Sequence, residues 1–251
     1  MGLLCPLFSP PFIQPNWRLF SWNGSSEMLD QLFYEPGITS HGLPHDPFKS
    51  CVIPRPIGWI STLAADGTAN LAPYSQFQNL TFDPPYVMFA ANQNIWGNRK
   101  DSVANAEQTG EFVWNMATYD LREAVNRSAE AVRPEIDEFE LAGVTRAPSR
   151  LVKPPRVAES PIQFECVYHA TLRLPGGGTV GTVDMVIGRV VGVHINDTAI
   201  TAEGLVDVLK LRPIARLGYY DYTSVDSMFR MVIPGSDPAQ LAGLEGRLTR
   251  T

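Results

Sequence analysis

The chain has 251 residues, 44% of them hydrophobic and 18% charged, with a formal net charge of −6. This excludes a disordered chain, which needs low hydrophobicity with high net charge. A pI near 5.2 without a basic stripe leaves no footprint for a nucleic-acid partner. Twenty-one Pro and 20 Gly argue against a helical bundle and for short strands joined by turns.

Residues 1–17, MGLLCPLFSPPFIQPNW, carry no charged side chain and are broken by Pro6, Pro10, Pro11 and Pro15. A secretory signal needs a positive n-region and an unbroken apolar stretch, and neither is present. No run reaches the roughly 18 apolar residues of a membrane span. We read 1–27 as a poorly ordered extension, 28–235 as one domain and 236–251 as a tail. Cys5, Cys51 and Cys166 are an odd set without CxxC spacing, so the reading is buried free thiols in a reducing cytoplasm.

After a Gly/Pro-rich lead-in over 35–56, residues 57–63 (IGWISTL) read as a strand. Asp66-Gly67 then marks a hairpin, the strongest short-range signal of its kind, with a partner strand over 69–77. Pro84 and Pro85 break the chain before the apolar run 86–90, a pattern expected of a strand buried on both faces. A short helix is predicted over 101–108, with Asp101 or Ser102 as N-cap and Gly110 as the stop. A strand over 111–116 follows, and then a helix over 119–131 capped by Thr118. Residues 132–163 are Pro-broken and read as a surface excursion with one short helix. Long strands over 163–174 and 180–195 flank a Pro-Gly-Gly-Gly turn and form a hairpin. The pattern predicts a mainly β fold, a closed or nearly closed barrel with a few peripheral helices.

No GxSxG, HExxH, Walker or GxGxxG motif occurs, and no side chain is assigned a catalytic role. His41, His45, His169 and His194 are scattered without clustered carboxylates, so no metal site is assigned. Two features carry chemistry. In NLAPYSQFQNLTFDPP (70–85), Tyr74, Ser75, Gln76, Asn79 and Thr81 crowd a strand end, which fits either a site lining or an exposed edge. At 98–102, Asn-Arg-Lys-Asp-Ser opens a helix. There, N–H groups, the positive dipole end and Arg99 with Lys100 make an anion site. The alternative is an ordinary capped helix with solvated cations. Asp101 would repel a phosphate that it faced, so it is expected to cap. An apolar wall at 57–62, an amide-rich edge and a phosphate hook together suit flavin mononucleotide, FMN.

RPIGWIST (55–62), the Asp66-Gly67 hairpin, NLAPYSQFQNLTFDPP (70–85), RKDSVANAEQTGEFVWNM (99–116) and SPIQFECVYHATL (160–172) together resemble the flavin reductase-like family over about residues 35–222. The resemblance implies an FMN-binding split β-barrel, Greek-key-like, and a homodimer. It implies that Trp59 and its strand, with Ser61 and Thr62, approach the flavin ring. Tyr74, Ser75 and Gln76 would bond the ring, and Asn79 the ribityl or phosphate. Arg99, Lys100, Asp101 and Ser102 would form the phosphate end. Many members carry Ser or Thr where Asn79 stands. The implied activity is an NAD(P)H-dependent flavin reductase, with NADH or NADPH as co-substrate and FMN or FAD as flavin. Such an enzyme can supply a partner flavin-dependent monooxygenase. The alternatives are an FMN enzyme acting on a specific small organic substrate, with the 132–160 excursion as its lid, and a non-catalytic flavin- or haem-binding module.

Overall fold

A computed structural model describes residues 31–231. The N-terminal extension before residue 28, the tail over 236–251 and Cys5 lie outside the described residues. The chain divides into two units, 1–46 and 47–251. In the first, a turn is closed by Ile38 and Thr39 N–H groups donating to the Glu35 carbonyl. The second carries the described strands and helices.

Those elements are α1 (Phe48–Cys51), β1 (Arg55–Pro56), β2 (Gly58–Leu63), β3 (Ala69–Tyr74), β4 (Phe77–Phe82), β5 (Pro85–Asn92), α2 (Asp101–Thr109) and β6 (Glu111–Asn115). Then come α3 (Arg122–Arg127), α4 (Glu138–Ala142), β7 (Arg146–Ala147), β8 (Arg156–Val157), β9 (Ile162–Leu174), β10 (Val183–Ile195), α5 (Val208–Leu211), β11 (Ile214–Gly218) and β12 (Asp221–Ser224). The main sheet has seven strands in the order β3-β2-β6-β9-β10-β5-β4. Its ladders are antiparallel throughout. The two edges, β3 and β4, are consecutive in the chain and joined by Ser75-Gln76. The sheet therefore curls until its edges meet at that link, a nearly closed barrel.

Both faces of β2 are covered, which explains its almost complete burial. Inside the barrel lie Ile60, Phe77, Phe89, Phe112 and Trp114. Phe77 stacks on Trp114 at 5.3 Å between ring centroids. On the other face of β2 and β3, Trp59, Leu71, Val125, Phe139 and Ile214 form a second core beneath α3 and α4.

Sequence reading and structure agree on the Asp66-Gly67 hairpin, where the Thr68 N–H donates to Asp66 Oδ1 at 2.9 Å, and on the β9–β10 hairpin. They differ at four places. The expected strand over 69–77 breaks at Ser75, and residues 77–82 form a new strand paired with β5 rather than a site edge. The helix expected over 119–131 shrinks to α3, because Thr118 bridges to Pro213 and the Ser128 hydroxyl bonds back to the Val125 carbonyl. The stretch after residue 205, to which the sequence pattern assigns no element, supplies β11 and β12, which form a small sheet with β1. Cys166 is buried as expected, but Cys51 is exposed on a short helix with no inward face.

Trp59 is completely buried, and its indole N–H donates to Ser128 Oγ at 2.9 Å. Replacing so large a packed ring leaves a cavity, so Trp59→Ala is expected to cost about 3–5 kcal/mol in urea denaturation. A loss under about 1 kcal/mol would show that the ring is not a core element.

Candidate functional site

Where the two edges of the sheet meet, a cavity of about 250 Å³ opens beside the Ser75-Gln76 link. One wall is the end of β3, and another is the end of β5 with the loop that carries Asn94 and Trp96. The floor is the start of α2, and the rim is residues 128–132 with Glu138. Ser75 and Gln76 are half-buried. Here the backbone leaves the β3 ladder, with the Gln76 carbonyl accepting from Ala90 N–H at 2.8 Å.

A buried polar network holds this corner. The Tyr74 hydroxyl donates to Ser102 Oγ at 2.9 Å, and the Ser102 hydroxyl donates to Asn70 Oδ1 at 2.6 Å. Asn70 Nδ2 donates to Glu138 Oε1 at 2.9 Å, and the Leu71 N–H to Glu138 Oε2 at 3.1 Å. The network links β3, α2 and α4, so the excursion after residue 132 is tied to the cavity. Burial raises the Tyr74 phenol above its ordinary value. Burial also raises the Glu138 carboxyl, although Leu71 and Asn70 bond its charged form. Asp101 moves the same way, with burial outweighing Lys100.

Six of the sequence-predicted site residues meet here: Tyr74, Ser75, Gln76, Lys100, Asp101 and Ser102. The structure places the other five elsewhere. Trp59 is core. Ser61 is buried and donates to the Pro155 carbonyl at 2.5 Å. Thr62 is buried between Asn70 and Asn105. Asn79 lies exposed on β4, accepting from Gln78. Arg99 forks onto Glu107 through two bonds of 2.6 Å and reaches the buried Asp184 at 3.1 Å. The expected hook of two cations therefore reduces to Lys100, whose carbonyl accepts from the Val103 and Ala104 N–H groups and whose ammonium makes no hydrogen bond or ion pair among the described residues. Asp101 corrects another expectation: it borders the cavity and makes no side-chain cap on α2, where Lys100 occupies the N-cap position. Gly110 ends the helix in the left-handed conformation as expected.

Sequence reasoning missed Trp96, Asn92, Asn94 and Glu138. A tryptophan within an Asn/Gly-rich turn, with no strand or helix to bury it, was the available signal for Trp96. His194 bonds Glu165 at 2.5 Å, and His169 is exposed and meets the Tyr86 ring edge-on. Neither borders the cavity. Burial alone would raise Glu165, but the Arg150 and Leu151 amides with His194 outweigh it and hold the carboxyl low. A second cleft, of about 480 Å³, lies between α3 and β12. Its lining includes none of the eleven sequence-predicted residues. Among the described residues no group of three or more His, Cys, Asp or Glu is placed to hold a metal. No described helix is long and apolar enough to cross a membrane.

The donor set fits a flavin nucleotide: Lys100 and the start of a helix suit a phosphate, opposed by the Asp101 carboxyl on the same cavity, while backbone polar groups at Ser75-Gln76 suit a ring edge. Comparison with known proteins agrees. The flavin reductase like domain model matches residues 50–222. An uncharacterised protein of Aquifex aeolicus is 36% identical over 171 residues, covering 67% of this chain and 84% of its own. Among solved structures, nitrilotriacetate monooxygenase component B from Bacillus cereus superposes with a TM-score of 0.73 at 30% identity, over 81% of this chain and 100% of that one. The 2-nitrobenzoate 2-nitroreductase NbaA of Pseudomonas fluorescens gives 0.66 at 28%, over 76% and 90%. The chain belongs to the flavin reductase-like family, and its curled seven-stranded sheet is a split β-barrel.

An acid held above its unfolded value binds its proton more tightly in the folded chain. Stability then falls as pH rises from the ordinary 4.5 through the raised value. Glu138→Gln should remove part of that fall while costing about 1 kcal/mol at low pH for the lost acceptor. Urea midpoints between about pH 5 and about pH 8 test this. A variant with the wild-type slope would show that Glu138 ionises normally.

Proposed function

We propose that the protein is an FMN-binding oxidoreductase that takes reducing equivalents from NADH or NADPH. The observation that carries this reading is the convergence of Tyr74, Ser75 and Gln76 with Lys100 and the start of α2 on one cavity. When bound, the flavin supplies the redox chemistry, accepting hydride at its N5 from the nicotinamide. The chain's own work is positioning. Ser75 and Gln76 would present backbone groups to the pyrimidine edge of the ring. Lys100 and the first N–H groups of α2 would hold the phosphate, with the Ser102 hydroxyl turned inward to Asn70. FMN is favoured over FAD because a terminal phosphate suits a helix start beside one lysine. No acid or base side chain is required for hydride transfer.

Likeness to a monooxygenase component B supports a role in supplying reduced flavin to a partner oxygenase. The family resemblance supports a homodimer, and the free thiols of Cys51 and Cys166 a cytoplasmic setting. Likeness to a nitroreductase supports a second reading, direct reduction of a small organic substrate. The purified protein is expected to be yellow with FMN, and NADH or NADPH should bleach it without oxygen. NAD(P)H oxidation with flavin alone fits the first role, and turnover that requires one organic acceptor fits the second. A colourless protein that leaves added FMN free in solution overturns both.

The cation assignment has its own test. Lys100→Ala should weaken FMN about tenfold while leaving riboflavin unchanged, because only FMN carries the phosphate. Arg99→Ala should lower the denaturation midpoint without changing the ratio of FMN to riboflavin affinity. Equal losses of both flavins in Lys100→Ala would remove the phosphate contact.

A further inference from the structure

The flavin ring needs an apolar or aromatic face, and the residue expected to supply it, Trp59, is sealed in the core. Two aromatic side chains border the cavity. Tyr74 is buried, with its ring tilted against Phe89 at 5.1 Å and its hydroxyl tied to Ser102. Trp96 is 57% exposed. Among the described residues it is therefore the aromatic surface open to a ligand in this cavity.

Its exposure is not that of a loose turn. Asn94 Oδ1 accepts from the backbone N–H groups of Trp96 and Asn98, at 3.0 and 2.9 Å. The Asn94 N–H donates to the Asn98 carbonyl at 2.7 Å, and Gly97 N–H to the Asn94 carbonyl at 2.9 Å. Gly97 has φ +80°, and a Cβ there would stand 3.2 Å from the Thr179 methyl. Both ends of the loop are fastened to one buried acid: Gln93 and Arg99 each donate to Asp184 Oδ2 at 3.1 Å. Arg99, expected to hold a phosphate, instead fixes the segment that presents Trp96. On this fixed backbone Ile95 and Trp96 are both exposed, an apolar pair at the mouth of a polar cavity that adds nothing to the core and suits a binding surface.

We propose that Trp96 is the aromatic plate of the cavity and stacks on the isoalloxazine ring of the bound flavin. This rests on the flavin-binding reading and adds to it the residue that recognises the ring. Indole and isoalloxazine are both planar and polarisable, and stacking of this kind is ring-directed and indifferent to the phosphate.

The test is titration of wild type, Trp96→Ala and Trp96→Phe with FMN and with riboflavin, following both affinity and the fluorescence of bound flavin. Trp96→Ala should weaken both flavins alike by about tenfold. It should also brighten the bound flavin, because a stacked indole quenches it, and Trp96→Phe should restore most of the affinity. If wild type binds flavin and Trp96→Ala matches it in affinity and brightness, the proposal is overturned and the functional reading stands. A rise only in the KM for NADH or NADPH, or a change only in the apparent mass of the particle, likewise overturns it by assigning the indole to the nicotinamide or to a second copy. If wild type binds neither flavin, the functional reading fails and this proposal with it.

Discussion

A twisted sheet of seven strands has two edges, and each presents N–H and C=O groups that must find partners or water. In this chain the edges are β3 and β4, consecutive segments separated by Ser75 and Gln76. The sheet can curl until its edges approach, but the two residues that pass between them cannot join both ladders. Their backbone groups are left half-buried at the seam. The cavity is a consequence of that closure: it lies where the barrel is split, and its most distinctive wall is main chain.

The surroundings of the seam follow from keeping it open without leaving buried polar groups unpaired. Tyr74, Ser102, Asn70 and Glu138 form a continuous set of hydrogen bonds behind the wall. Removing one partner from such a set costs more than the bond itself, because a desolvated group is left behind. The network thus sets the position of α2 against β3, and with it the direction in which the first turn of the helix points its N–H groups. It also draws Glu138, from a stretch that reads as a surface excursion, into the wall of the cavity.

Local chemistry made part of this legible in the sequence. Asp66-Gly67 fixes a hairpin by the turn it can form, and Gly110 ends α2 by the conformation it can adopt. The polar crowding at Tyr74, Ser75 and Gln76 did mark the wall of a cavity. What escaped is set by contacts between distant segments. Residues 57–63 show neither clean alternation nor a polar face, so nothing in the strand distinguishes a Trp59 that faces a ligand from one that faces a second core. The second core arises only when α3 and α4 dock. Arg99 beside Lys100 reads as a pair of cations, yet Arg99 is neutralised by Asp184, 85 positions away. Residues 77–82 read as the ragged end of one strand because their partner, β5, follows an Asp83-Pro84 turn and itself begins on a proline, Pro85.

These displacements share a physical cause that bears on how the cavity recognises its ligand. Charged and aromatic groups near a binding site serve either the ligand or the scaffold, and burial decides between the two. Arg99 and Trp59 have committed their polar atoms to internal partners and hold the walls in place. Lys100 and Trp96 commit only their backbone, and their side chains stay outside such pairings. Lys100 is one residue from Arg99, and Trp96 is three residues before it, so a single short segment carries a brace, a half-buried cation and an exposed ring. Asp184 anchors that segment from β10, on the same sheet that forms the seam. The geometry of the cavity is thereby referred to the barrel itself rather than to a free loop. A cofactor whose reactivity is its own asks for little more than orientation, and a rigid frame with few committed charges at its mouth supplies it.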